Sequence, residues 1–359
     1  MAGRPLPLAD DFNEFSLLCL NSTGRFVRLK DDKEDFLDGT EVTPDQLPVY
    51  LKERVVLPSD VTDVFVWVHG WRNTHEDALT SARRLFAGIR SVFNAQPTMY
   101  PKVRSFVPAF LLVRWPSMSS PLPGDYVRIR DRATGLTEQG DAEFFLASLL
   151  GYLEQKNRRV GGAGSKTLAS SSGFFIHCIG HSFGGRFLVS AICAAGNPQA
   201  RTLSLLKHLQ GSSRKTLSAP SSNGFEFTVD SALIFQMAAP NTAYGVKLSE
   251  MIRKSPFRGP LILTHSEHDT ANCYWHIKTE GEPAIGCYGA AQPATMLSGI
   301  ALHSVDRPYD DSCFSSAIIN VNANHVFSAS GLAAGAHSDI WYEESIHLLL
   351  SLVSHARFN

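Results

Sequence analysis

The hexapeptide Gly180-His181-Ser182-Phe183-Gly184-Gly185 sets a serine where a nucleophile would have to stand. A serine hydroxyl attacks an acyl carbon only when a base takes its proton and the substrate can reach it. The pattern Gly-x-Ser-x-Gly meets the second need by holding the serine on a sharp turn between a strand and a helix. Alone it is a weak signal in a chain with 27 glycines. Its context is stronger: Phe174–Ile179 is an apolar run of strand length, and Phe183–Ala195 reads as a helix stopped by Gly196 and Pro198. Glycines at 180 and 184 allow strand and helix to approach closely. The helix N-terminus turns unpaired N–H groups and the positive end of its dipole towards a developing negative charge.

The rest of the chain supplies elements that could position such a turn. Further strands are expected at Phe15–Leu20, Arg25–Lys30, Val61–Val68, Phe106–Trp115, Ser231–Met237, Pro260–Thr264 and, last, Ser315–Val321. A helix is expected after Thr74, with Leu79, Ala82, Leu85 and Ile89 on one face; others span Ala142–Tyr152 and Trp341–His355. Apolar strands alternating with helices predict an α/β fold, a mainly parallel central sheet flanked by helices. One domain over residues 1–359 is expected, with insertions at 117–140, 196–224 and 272–313 that could cap a site.

Together these features resemble the α/β-hydrolase superfamily, in its serine esterase and lipase-like members. The resemblance covers roughly Val61 to the C-terminus, and Phe15–Lys30 can supply a leading hairpin of the same sheet. It implies a serine, an acid and a histidine in that chain order, with Ser182 as nucleophile. It also implies an oxyanion hole made by two backbone amides. One is that of Trp71, in His69-Gly70-Trp71-Arg72 after the strand ending at Val68; the other is that of Phe183. Both rings are then expected to present aromatic surface to an acyl pocket, and His69 to brace its loop. The acid falls in His265-Ser266-Glu267-His268-Asp269, where Ser266 replaces the family's frequent glycine. The family offset points to Asp269, with Glu267 as runner-up. Two histidines follow the last strand. His337, on a glycine-containing loop just before the closing helix, is favoured over His325, which reads as an edge histidine.

The expected function is a serine hydrolase that cleaves a carboxylic ester or thioester through an acyl-enzyme, with no cofactor and no metal. An amidase or acyltransferase using the same residues is the alternative, and a non-catalytic binding protein of this fold the other. His265, His268 and Asp269 could chelate a metal, but their spacing matches no ligand motif. Gly161-Gly162-Ala163-Gly164-Ser165-Lys166-Thr167 departs from a phosphate-binding loop in its spacing and is not followed by a helix.

Composition limits the partners. With 33 Lys+Arg against 34 Asp+Glu the net charge is −1, which argues against nucleic acid; the resemblance implies a small-molecule acyl substrate as the partner. The apolar runs fall short of the ~20 residues of a membrane helix. The N-terminus has no apolar signal region, so a cytoplasmic location is expected. The six cysteines contain no Cys-x-x-Cys and are expected to be mostly buried thiols; Cys273 with Cys287 is the one pair to check for a bridge.

Overall fold

The structure is a computed structural model. It describes residues 3–29, 39–118, 123–138, 140–157, 173–194, 227–245, 256–330 and 334–357. The insertion expected at 196–224 and the glycine-rich stretch 161–167 lie outside the described residues.

The chain runs β1 (Ser16–Leu20), β2 (Phe26–Arg28), β3 (Thr40–Glu41), α1 (Leu47–Arg54), β4 (Asp63–Val68), α2 (His75–Ala95), β5 (Pro108–Arg114), α3 (Pro123–Glu138) and α4 (Ala142–Lys156). It continues with β6 (Phe175–His181), α5 (Ser182–Ala194), β7 (Ser231–Phe235), β8 (Leu261–His265), a wide helical turn Ala271–Trp275, α6 (His276–Glu280), α7 (Ile285–Tyr288), β9 (Leu297–Ala301), β10 (Ile318–Asn322) and α8 (Glu343–His355). The ten strands form one mixed sheet in the order β3-β2-β1-β5-β4-β6-β7-β8-β10-β9. The hairpins β1–β2 and β2–β3 are antiparallel, and every other neighbouring pair is parallel.

Alternation along each central strand feeds two separate cores. In β4, Val64, Val66 and Val68 join the side covered by α1, α3, α4 and α5, while Phe65 and Trp67 join the side covered by α2 and α8. Burial on both faces explains why these strands read as continuous apolar runs. On α2, Leu79, Ala82, Leu85 and Ile89 are all buried. Thr74 caps that helix: its hydroxyl accepts from the Asp77 amide, and Asp77 accepts from the Thr74 amide.

Three features add to what the sequence predicts. The segment expected as an insertion at 117–140 carries α3, whose Tyr126 and Ile129 are buried. The insertion expected at 272–313 carries α6, α7 and the edge strand β9, so it extends the sheet beyond β10. Beta-strand β6 runs on to His181, so helix α5 begins at Ser182 itself.

Candidate active site

Ser182 sits at the strand-to-helix junction with φ of 56°, in the left-handed region that a residue with a Cβ seldom occupies. The glycines around it have no room for a side chain. A Cβ on Gly180 would collide with Gly185, and one on Gly184 with the carbonyl of His69. The second collision shows that the loop after β4 lies directly against the start of α5.

The segments that follow four parallel strands, β4, β6, β8 and β10, meet at this point. Nε2 of His337, after β10, lies 2.8 Å from Ser182 Oγ. Its Nδ1 lies 3.0 and 2.9 Å from the two carboxylate oxygens of Asp269, after β8. A carboxylate only accepts, so Nδ1–H donates to Asp269 and Nε2 is left to accept the Ser182 hydroxyl. All three residues are buried, and Ser182 is 0% exposed.

Two residues that sequence reasoning did not single out hold this arrangement. Asn272 donates from its backbone N–H to Asp269 Oδ1 at 2.9 Å and from Nδ2 to Oδ2 at 2.7 Å. The same Nδ2 donates to the Gln236 carbonyl at 2.8 Å. Gln236, itself at φ 44°, donates from Nε2 to the carbonyl of Ala336, the neighbour of His337. The acid and the histidine loop are thus tied to one buried point. His181 adds a third tie: its Nε2 donates to the carbonyl of His337 at 2.7 Å, with the two rings 4.9 Å apart. Burial, followed by the neighbouring His337, pushes the His181 imidazole down to about 3, so it stays neutral.

His69 braces its loop. Its Nε2 accepts from the Trp115 amide at 3.2 Å, so Nδ1–H donates to the Gly70 carbonyl at 3.0 Å, and the Trp115 indole donates to the His69 carbonyl. Burial lowers the His69 pKa to about 4. Phe183 is the second residue of α5, so its amide is among those with no acceptor inside the helix. Its ring is wholly buried and packed 5.3 Å from Tyr126, because α5 presents that face to the core. Trp71 is half-buried and lines a cleft of about 360 Å³ that reaches His337 and His181. Ser182 is not among the residues lining this cleft.

The other candidates lie apart. Glu267 is exposed and shares hydrogen bonds with Asn324. His325 and His268 are exposed. Among the described residues no group of three His, Cys, Asp or Glu could hold a metal ion. Cys273 and Cys287 form a disulfide rather than buried thiols, tying the segment that carries Asn272 to α7; Cys19, Cys178 and Cys193 are buried and free.

A second serine–histidine–aspartate chain lies towards the opposite end of the sheet. Ser231 is 2.7 Å from Nδ1 of His177, whose Nε2 is 2.9 Å from Asp63. Arg357 also pairs with Asp63, at 2.7 Å. Burial would raise the Asp63 pKa, but the Arg357 charge and the His177 hydrogen bond outweigh it and leave it at about 2.

No family model matches the chain, and no curated protein matches its sequence. Among the described residues, no helix is long and apolar enough to cross a membrane.

Proposed function

We propose that this protein is a serine hydrolase of the α/β-hydrolase fold that cleaves a carboxylic ester or thioester. The observation that carries the proposal is the Ser182–His337–Asp269 chain of hydrogen bonds, with Ser182 in a left-handed conformation at the start of a helix. The second chain, at Ser231, lacks both of those features: Ser231 begins a strand and is not among the residues with positive φ. The strand order supports the fold assignment, with a leading hairpin, an exchange of β4 and β5, and then β6, β7, β8 and β10 added in sequence.

In this reading Ser182 Oγ attacks the acyl carbon while His337 Nε2 takes its proton, and Asp269 stabilises the resulting imidazolium. The amides of Trp71 and Phe183 receive the oxyanion. As the tetrahedral intermediate collapses, the bond to the alcohol or thiol breaks and the leaving group takes the proton from His337. Water then adds to the acyl-enzyme, giving up a proton to His337, and the acid is released as Ser182 is reprotonated. No step needs an oxidant or reductant.

The complete cover over Ser182 is the one observation that favours a binding protein instead. A neutral fluorophosphonate reagent separates the readings. The hydrolase reading expects covalent labelling of Ser182 in the wild type and none in Ser182→Ala. A folded wild type that resists labelling and hydrolyses no ester would leave the binding-protein reading.

A further inference from the structure

The cleft that reaches His337 carries a net positive charge. His337, His181 and Trp71 line it, and the tryptophans Trp67 and Trp341 add apolar surface. Asp77, Ser81 and Arg84 contribute from one face of α2, and Arg72 from the loop after β4. Asp77 and Arg84 are seven residues apart, about 10 Å of helix. Arg84 spends Nε and Nη2 on the carbonyl of Leu6, at 3.1 and 2.6 Å, and lies over the Trp341 ring. Its Nη1 has no hydrogen-bond acceptor among the described residues, and neither does the exposed Arg72 side chain. Arg72 is held at φ 60°, its amide donating to the Ser117 carbonyl. The one carboxylate in the lining, Asp77, accepts the cap bonds from Thr74. His69 and His181 are neutral at pH 7. Two guanidiniums against one carboxylate give these three side chains a formal charge of +1.

We infer that this cleft takes a substrate bearing a carboxylate, bound by Arg84 and Arg72 while its ester reaches His337. The inference rests on the hydrolase reading of the site. An unsubstituted acyl chain filling the cleft would strip water from the half-buried Arg84 and give it no acceptor, which is costly. A carboxylate accepts from the free edge of a guanidinium, and the indole surfaces suit a short methylene chain between carboxylate and ester. A single negative charge balances the three side chains; a phosphate dianion would not.

The test uses monomethyl adipate and dimethyl adipate, which differ in one charge. The wild type should prefer the half-ester. The ratio of kcat/KM, half-ester to diester, should fall tenfold or more in the double variant Arg72→Gln/Arg84→Gln, chiefly through KM, with Arg84→Lys retaining part of the preference. A ratio within twofold of wild type in the double variant overturns the inference. Because Arg84 also ties down Leu6, Arg72→Gln alone is the second variant: its side chain is exposed, and a threefold or larger fall is expected. Calorimetric binding of monomethyl adipate to Ser182→Ala keeps this test separate from that of the hydrolase reading. Binding weakened at least tenfold by adding Arg84→Gln supports the cleft even if the wild type hydrolyses nothing. Equal binding overturns it even if fluorophosphonate labels Ser182.

Discussion

Ser231 bonds to Nδ1 of His177 at 2.7 Å, the opposite ring nitrogen from the one that His337 turns to Ser182. Both groupings run serine, imidazole, carboxylate, and β6 leads to both: His177 lies within the strand, and Ser182 directly follows its last residue. What differs is the setting. Asp63 is paired with the Arg357 guanidinium and also hydrogen-bonded to His177 Nε2, and Ser231 is locked into a strand between neighbours. Ser231→Ala should therefore leave fluorophosphonate labelling of Ser182 intact while lowering stability. A buried imidazole nitrogen that loses its donor costs about 1–3 kcal/mol. Mass spectrometry of the labelled peptide and urea unfolding read the two effects. Label found on Ser231 would reverse the assignment.

The two late histidines should separate cleanly. His337→Ala should reduce kcat on the order of 10⁴-fold or more, close to the loss in Ser182→Ala, because residues of one triad act as a unit. His325 is exposed, and its replacement by alanine should change kcat by no more than about threefold, in line with a surface position. Comparable losses from both would remove His337 from its place as base.

Asn272 touches no substrate atom in the proposed reaction; it positions Asp269. Asn272→Ala removes the side-chain donor to the carboxylate and to Gln236, and should cost about tenfold or more in kcat with a smaller change in KM. Steady-state kinetics alongside thermal melting checks this. A variant that melts early yet keeps full kcat would mean that Asn272 serves the fold alone.

Acid should destabilise the protein from well above the carboxylate range. His69 and His181 have folded values of about 4 and about 3, below the ordinary 6.5, so the unfolded chain takes up their protons first. Their contribution is complete above pH 6.5 and is lost as pH falls towards 4 and 3. Asp63, at about 2, acts lower: its contribution is present above the ordinary 3.8 and disappears as pH falls through 2. The two histidines together should cost on the order of a few kcal/mol by pH 4.5. Urea midpoints measured from pH 7.5 to 4.5 should fall steadily; a flat profile over that range contradicts buried neutral imidazoles.

The place of Ser182 on a strand-to-helix turn was legible because a left-handed turn there demands nearby glycines, and these lie within five residues. That Asp269 would face the histidine came from the offset usual in the resembled family, and the structure brings it to His337. His337 needed the family's chain order, since 68 residues separate it from Asp269 and nothing local marks it. Asn272 and Gln236 carried no signal, because their roles come from loops brought together only by the folded sheet. The strand β9 (Leu-Ser-Gly-Ile-Ala) escaped notice because an edge strand with half-exposed residues lacks the apolar run of a central one. The Phe183 ring was misplaced for a related reason: a helix position fixes the backbone amide, but packing against Tyr126 decides where the side chain goes.

The sealed position of Ser182 bears on how fast it can react. An attacking group with no solvent contact meets an external reagent only during excursions that uncover it. Its observed rate is then the intrinsic rate multiplied by the open fraction, so a site open one per cent of the time reacts about a hundredfold slower than its chemistry allows. If reclosing is slow beside attack, the rate becomes the opening frequency itself, and esters with good and poor leaving groups turn over alike. Reactivity across a leaving-group series would then measure a breathing motion of the loops around Ser182 rather than the strength of its base.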